Sequence, residues 1–195
     1  MVRWEPGTRE RLQAAALELF TERGFEQTTA ADIAAAVGLT ERTFFRHFSD
    51  KREVLFDGQS RLVDAVVAGL GGAPADASAL DVVAAGLRAG AELFPDDLRA
   101  WARLRHDVIA EHPALLERER HKMAELARTM RAALVARGVS EPAATLAAES
   151  GSTVFTVAFG QWIAEGEHRS LAELQTAVLD DLRSLTGTTS ALGTA

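Results

Sequence analysis

The stretch TTAADIAAAVGLTERTFFRHFSDKR, residues 28–52, is compatible with very few folds. Ile33, Ala34 and Val37 recur at the spacing that lines one face of a short helix, and Gly38 then supplies a residue free to take positive φ where the chain must turn. Leu39 plugs that turn from inside. Thr40 is placed to cap a second helix, whose buried stripe is Phe44 and Phe48, four residues apart. Thr40, Glu41, Arg42, Thr43, Arg46 and His47 remain on the outer face. Two short helices joined by a tight turn, apolar within and polar without, read as a helix-turn-helix, whose second helix lies in the major groove of DNA.

With those residues identified, the stretch resembles the DNA-binding segment of TetR-family transcriptional regulators. The matching parts are Thr28-Thr29, Asp32-Ile33-Ala34, Val37-Gly38-Leu39-Thr40, the run from Thr43 to Phe48, and Asp50-Lys51-Arg52-Glu53. The resemblance covers roughly the first quarter to third of the chain, helix 1 included. It implies an all-α protein with an N-terminal three-helix DNA-binding domain over residues 1–52 and a C-terminal helical bundle for ligand binding and dimerisation over residues 53–186. It also implies that Thr43, His47 and Lys51 touch DNA phosphates. One departure stands out. The family usually has Tyr where Phe45 stands, its hydroxyl on a phosphate, and Phe cannot make that bond.

The residues expected to meet DNA are therefore Thr28, Thr29, Thr40, Glu41, Arg42, Thr43, Phe45, Arg46, His47 and Lys51. Arg42, early on the second helix, can bond a guanine bidentately, or it can pair with a phosphate, Glu41 or Glu26. Thr29 with Asp32 resembles a capping box, and Thr28 and Thr29 can cap, meet a phosphate, or do both. Net charge looks unfavourable at −7. Of 21 basic and 28 acidic side chains, however, eight of each fall in residues 1–52, so the whole excess lies beyond them. Four basic residues face two acidic ones between Thr40 and Arg52. A locally positive tip on an acidic body suits a protein that meets DNA at one end.

Helical signals account for the rest of the chain. Pro6-Gly7-Thr8 offers Thr8 as cap to a first helix carrying Leu12, Ala15, Ala16, Leu19 and Phe20 and ending at Gly24. Asp50 and Glu53 form another capping pair, predicting a continuous linking helix over residues 50–70. Further helices are predicted at residues 78–94, 96–111, 113–137, 141–164 and 171–185, with Ser78, Ser140 and Ser170 as caps, for about nine in all. No segment alternates with period two. The tail over residues 187–195, rich in Gly, Ser and Thr, is expected to be disordered. No apolar run reaches membrane-spanning length and no secretory signal opens the chain, so a cytoplasmic protein without membrane association is expected.

Catalytic and metal chemistry finds little support. Cys is absent, and the five His show no metal-ligand spacing. Glu117, His121 and Glu125 share a helical stripe that a solvated charged face explains equally well. The glycines at 71 and 72 lack the Lys-Ser/Thr of a phosphate loop, and no G-x-S-x-G or H-E-x-x-H occurs. No enzyme and no cofactor are expected.

The last helices suggest an assembly. Ala147, Ala148, Ser150, Gly151, Ala158 and Gly160 permit close helix approach, and the apolar run between Gly151 and Ile163 must bury more than one face. Either this is the central helix of a monomer, or one face goes to the chain's own bundle and another to a second copy; the second reading is the expected one, with Val154, Trp162, Leu174, Val178 and Leu182 as the dimer interface. Phe94, Trp101, Arg105, Met123, Met130, Phe155 and Phe159 either line an effector pocket or form plain core; the family resemblance favours a pocket there. The pattern W-A-R-L-R, then H-P-A-L-L, then Gln161-Trp162 is more loosely similar to a subgroup associated with acyl-CoA-like ligands. The expected function is a homodimeric regulator, most simply a repressor, that binds palindromic operator DNA and is released by a small apolar or acyl-type effector. The alternatives are a constitutive DNA-binding regulator and a helical enzyme or binding protein with a vestigial head.

Overall fold

The structure, a computed structural model, describes residues 7–187; the tail expected over 187–195 lies, beyond its first residue, outside the described residues. Among the described residues there are nine α-helices and no strand: α1 (Thr8–Arg23), α2 (Ala30–Ala36), α3 (Glu41–His47), α4 (Gln59–Gly72), α5 (Ala79–Ala91), α6 (Arg99–Ala110), α7 (Pro113–Ala136), α8 (Glu141–Trp162) and α9 (Leu171–Gly187). Short 3₁₀ turns occupy Arg52–Leu55 and Asp96–Leu98. None of these helices is long and apolar enough to cross a membrane.

The chain forms two compact units. The first joins residues 7–59 to Trp101–Arg120, and the second joins Ser60–Ala100 to residues 121–187. The first unit thus extends past residue 52. Val108, Ile109 and Leu115 enter the same core as Leu12, Ala16, Phe20, Ile33, Phe44 and Phe48, and Trp101 packs against it. Local capping follows the sequence closely in places. Ser78 accepts from Asp81 N at 3.3 Å, and Ser170 exchanges bonds with Glu173, whose Oε2 accepts from Ser170 N at 2.8 Å. Elsewhere it departs. Thr8 is already helical, with Gly7 at the cap position, and the Ser140 side chain makes no capping bond although Pro142 pre-sets the first turn of α8.

The linking helix predicted over residues 50–70 is broken. Asp50 Oδ1 does accept from Arg52 N at 2.7 Å and Glu53 N at 3.1 Å, but what it caps is the short 3₁₀ turn. Val54, Leu55 and Phe56 are all buried, and Gly58 at φ 94° then redirects the chain before α4 begins. Side chains take the carbonyls that an α-helix would have used. Arg105 Nε donates to Leu55 O at 2.6 Å and Gln13 Nε2 to Val54 O at 3.4 Å, while Arg118 Nε lies 2.8 Å from Glu53. Three buried residues in succession anchor this segment to the first unit's core, and that tertiary demand overrides the capping signal.

In the second unit α9 packs on α8 and α5. Gly151 is the closest approach: a Cβ there would stand 2.5 Å from Val83 Cγ1 and 3.4 Å from Met130 Cε. Of the five residues expected at an interface between copies, Val154, Trp162 and Leu174 are at most 1% exposed within the single chain and lie in the protomer's own core, whereas Val178 and Leu182 are half-buried. A helix's apolar periodicity reveals that a face is buried without revealing what covers it. Arg99 closes the α8–α9 loop, donating to the carbonyls of Trp162, Glu167 and Arg169, each at 2.8 Å. Gly151→Ala should cost about 1–3 kcal/mol through overpacking against branched Val83, read as a lower midpoint in urea unfolding with an unchanged slope.

Candidate nucleic-acid interface

α2 and α3 have seven residues each, so most of their backbone groups lie in end turns and need partners from outside. The start of α2 is closed by a capping box. Asp32 N donates to Thr29 Oγ1 at 3.1 Å, and Thr29 N and Oγ1 donate to Asp32 Oδ2 at 2.9 and 2.6 Å. The Thr29 hydroxyl and amide hold the Asp32 carboxyl below its ordinary pKa. The end of α2 is a Schellman turn. Gly38, at φ 71°, donates to Ala35 O at 3.0 Å, and Leu39 N donates to Ala34 O at 2.9 Å. α3 is capped by Thr40, whose hydroxyl accepts from Thr43 N at 3.3 Å and meets the Thr43 hydroxyl at 3.0 Å.

Two arginines of α1 complete the motif. Arg11 Nη2 donates to Val37 O at 2.6 Å, and Arg9 Nη2 donates to His47 O at 2.9 Å. Arg9 also lies 2.8 Å from Asp57 and 5.1 Å over the Phe48 ring. A guanidinium therefore sits at the carbonyl end of each short helix, where the helix dipole favours positive charge. Sequence reading counted both as part of the basic complement near DNA and missed this bracing, because the partners lie 26 and 38 residues away.

The inner face of α3 is fully buried. Phe44 is 0% exposed, and the Phe44 and Phe48 rings stand 5.3 Å apart. On the outer face Thr40, Glu41, Arg42, Phe45 and Arg46 are exposed, and Thr43 and His47 are half-buried along one flank. Arg42 and Arg46 make no hydrogen bond or ion pair among the described residues, so Arg42 is paired with neither Glu41 nor Glu26. His47 Nε2 is buried without a protein partner. Thr29 is exposed at the start of α2.

Two of the residues expected to meet DNA have partners within the first unit. Thr28 is 1% exposed, and its hydroxyl donates to Gly24 O at 2.9 Å; burial removes it from any surface that DNA could reach. The Lys51 ammonium donates to Phe25 O at 2.6 Å and lies 4.0 Å over the Phe25 ring, so it ties the α1–α2 loop to the chain after α3. Beside it, Arg52 pairs with Asp50 at 2.9 Å. Burial by itself would raise the Asp50 pKa, but the Arg52 side chain and the Glu53 and Arg52 amides outweigh it and hold the carboxyl below its ordinary value. Of the four cations counted between Thr40 and Arg52, Arg42 and Arg46 are the two left outward and unpaired.

The residues named for an effector are divided between the two units. Trp101 and Arg105 belong to the first; Phe94, Met123, Met130, Phe155 and Phe159 belong to the second. Arg105 is a brace within its unit, bonding Glu119 through both Nη atoms at 3.2 and 3.0 Å besides Leu55 O. Phe94, Phe155 and Phe159 do come together. Their rings, with Trp162, lie 5.7–5.9 Å apart, Phe155 stacked on Phe159 at 12°. Met130 is fully buried beside Gly151. A cavity of about 510 Å³ in the second unit is lined by α5 and α9 residues such as Asp81, Arg88, Gln175 and Arg183, and by none of the seven residues named.

Lys51→Met keeps the aliphatic stem and removes the ammonium, leaving Phe25 O without that donor. Its loss should lower the thermal stability of the protein by about 1–2 kcal/mol in the absence of DNA. An unchanged melting temperature would show that Lys51 has no internal role.

Comparison with known proteins agrees with this geometry. The family model described as "Bacterial regulatory proteins, tetR family" matches residues 12–57. The chain is 43% identical over 82 residues to the HTH-type transcriptional regulator TcmR of Streptomyces glaucescens, a match covering 42% of this chain and 36% of that protein. Among solved structures it is similar to the Thermus thermophilus TetR family repressor FadR in complex with lauroyl-CoA, at 25% identity and TM-score 0.55, over 96% of this chain and 98% of that one. The fatty acid degradation regulator FadR of Bacillus halodurans shares the fold at 15% identity and TM-score 0.57, over 92% and 96% of the two chains. With its capped and braced helix-turn-helix, the chain carries over residues 12–57 the DNA-binding segment of bacterial regulatory proteins of the tetR family, and it spans about a third of the length of the curated relative it matches.

Proposed function

We propose that this protein is a TetR-family transcriptional regulator, a cytoplasmic homodimeric repressor that reads a pseudo-palindromic operator through α3 and leaves it when a small, mainly apolar effector binds the C-terminal helices. The observation that carries the DNA reading is the pair Arg42 and Arg46, outward and unpaired on a helix whose opposite face is wholly buried. Arg42, in the first turn, is the base reader, bonding guanine O6 and N7; Arg46, Thr43, His47 and Thr29 meet phosphates and set register. Glu41 and Thr40 lie at the same edge.

Dimerisation follows from the need to read two half-sites about one helical turn apart. The surface we assign to it is the outer stripe of α8. Leu146, Ser150, Thr153, Val157 and Gly160 follow one another at alternating spacings of four and three, with Leu146 at 71% and Val157 at 43% exposure. A Cβ added at Gly160 would meet nothing within 4 Å in the single chain, which leaves room for a facing helix.

For the effector, support comes from the lauroyl-CoA bound to the Thermus thermophilus relative and from the Phe94, Phe155, Phe159 and Trp162 cluster. To move a population from 99:1 operator-competent to 1:99, an effector must prefer the incompetent state by about 10⁴-fold, roughly 5.5 kcal/mol. Burying about 200 Å² more apolar ligand surface in that state supplies about 5 kcal/mol. An acyl chain is large enough for this and a sugar or metal ion is a poorer fit.

The protein should select a pseudo-palindromic duplex from a random library and bind it in the nanomolar range. With about six phosphates neutralised, affinity should fall by about 10³ between 50 and 200 mM salt. Arg42→Ala should cost about 1–3 kcal/mol and relax preference at one position per half-site; equal affinity for selected and random duplexes would overturn the DNA reading. Long-chain acyl-CoAs or free fatty acids should raise the melting temperature and release the selected duplex. If no acyl or aromatic compound does either, the constitutive reading, with no effector, replaces this one.

A further inference from the structure

Phe45 is a large apolar side chain held 49% exposed on the outer face of α3, among residues that are otherwise polar. Its ring stands edge-on to Phe44 at 5.4 Å and 87°, and Phe44 is itself 0% exposed, so the core sets where the Phe45 ring points. Phe45 has no hydroxyl to offer a phosphate. It lies three residues after Arg42, one turn along the same helix and about 4.5 Å farther along its axis, which corresponds to one or two base-pair steps of about 3.4 Å. Among the groups that bases display in the major groove, the one apolar group is the C5-methyl of thymine, and aromatic side chains make apolar contact with it.

We propose that Phe45 is a specificity-determining residue that reads a thymine C5-methyl one or two base pairs from the guanine contacted by Arg42. The inference rests on the DNA reading above and adds a second base to each half-site. Phe45 adds no charge, so it contributes sequence preference without contributing to counterion release. The half-site therefore contains a guanine and a thymine at a short fixed spacing, the first read by hydrogen bonds and the second by methyl burial.

The test uses the full-length protein and the duplex it selects. Each thymine is replaced singly by deoxyuridine, which removes the methyl and leaves every hydrogen-bonding edge intact. At one thymine position per half-site the replacement should weaken binding about three- to fivefold, the effect of exposing roughly one methylene-sized group. The same replacement should have no effect on Phe45→Ala, and that variant should keep the wild-type salt slope. Phe45→Gln, polar and compatible with a helix, serves the same purpose if the alanine variant does not fold. A selected duplex at which no thymine shows a deoxyuridine effect overturns this inference alone, as does an effect that persists in the Phe45 variants. Failure to select any duplex overturns the DNA reading and this inference with it.

Discussion

Two seven-residue helices cannot stand by themselves in water, and the head of this protein is organised around that fact. A helix this short has few internal hydrogen bonds and leaves most of its end-turn amides and carbonyls to others. The chain answers at each end in turn. Thr29 and Asp32 close the start of α2, the Gly38 turn and Arg11 its finish, Thr40 the start of α3, and Arg9 its finish. Once those ends are satisfied, Phe44 and Phe48 can fix α3 on the core. The recognition surface is what remains on the other side.

This bracing also resolves the charge puzzle. An acidic protein with a head of balanced charge needs its few cations well placed, yet Arg9, Arg11, Lys51 and Arg52 are all engaged within the first unit. Their positive charge still adds to the local potential, but their donors are held by backbone carbonyls and carboxylates. Arg42 and Arg46 are the cations of the motif free to form directional bonds with DNA. A count of basic residues therefore overstates how many contacts the surface can offer, and it hides the division between cations that build the surface and cations that present themselves on it.

The helix-turn-helix was legible in the sequence because its determinants are local: Gly38 for the turn, Thr29 with Asp32 for one cap, Thr40 for the other, and Phe44 four residues before Phe48. The nine-helix count was legible for the same reason. What escaped was set by partners distant in sequence. Arg105 at Leu55 and Glu119, and Arg99 at the α8–α9 loop, are long-range donors whose roles no local pattern displays. The break at Gly58 escaped because the capping signal of Asp50 was real but served a 3₁₀ turn that three buried residues hold to the core. Val154, Trp162 and Leu174 were assigned outward because periodicity reports burial and is silent on whether the covering surface belongs to the same chain. Phe94, Phe155 and Phe159 share one aromatic cluster in the second unit, while Trp101 and Arg105 belong to the first, a division that helical periodicity does not display.

The central claim is that α3, braced from α1, places Arg42 against one guanine in each of two half-sites. Methylation interference at guanine N7 on the selected operator tests it most directly, because a methyl at N7 blocks the bidentate arginine contact. The account predicts interference at one guanine per half-site, the two centred about 10–10.5 base pairs apart, and loss of that pattern in Arg42→Ala. No interfering guanine, or the same interference with Arg42→Ala, would contradict it.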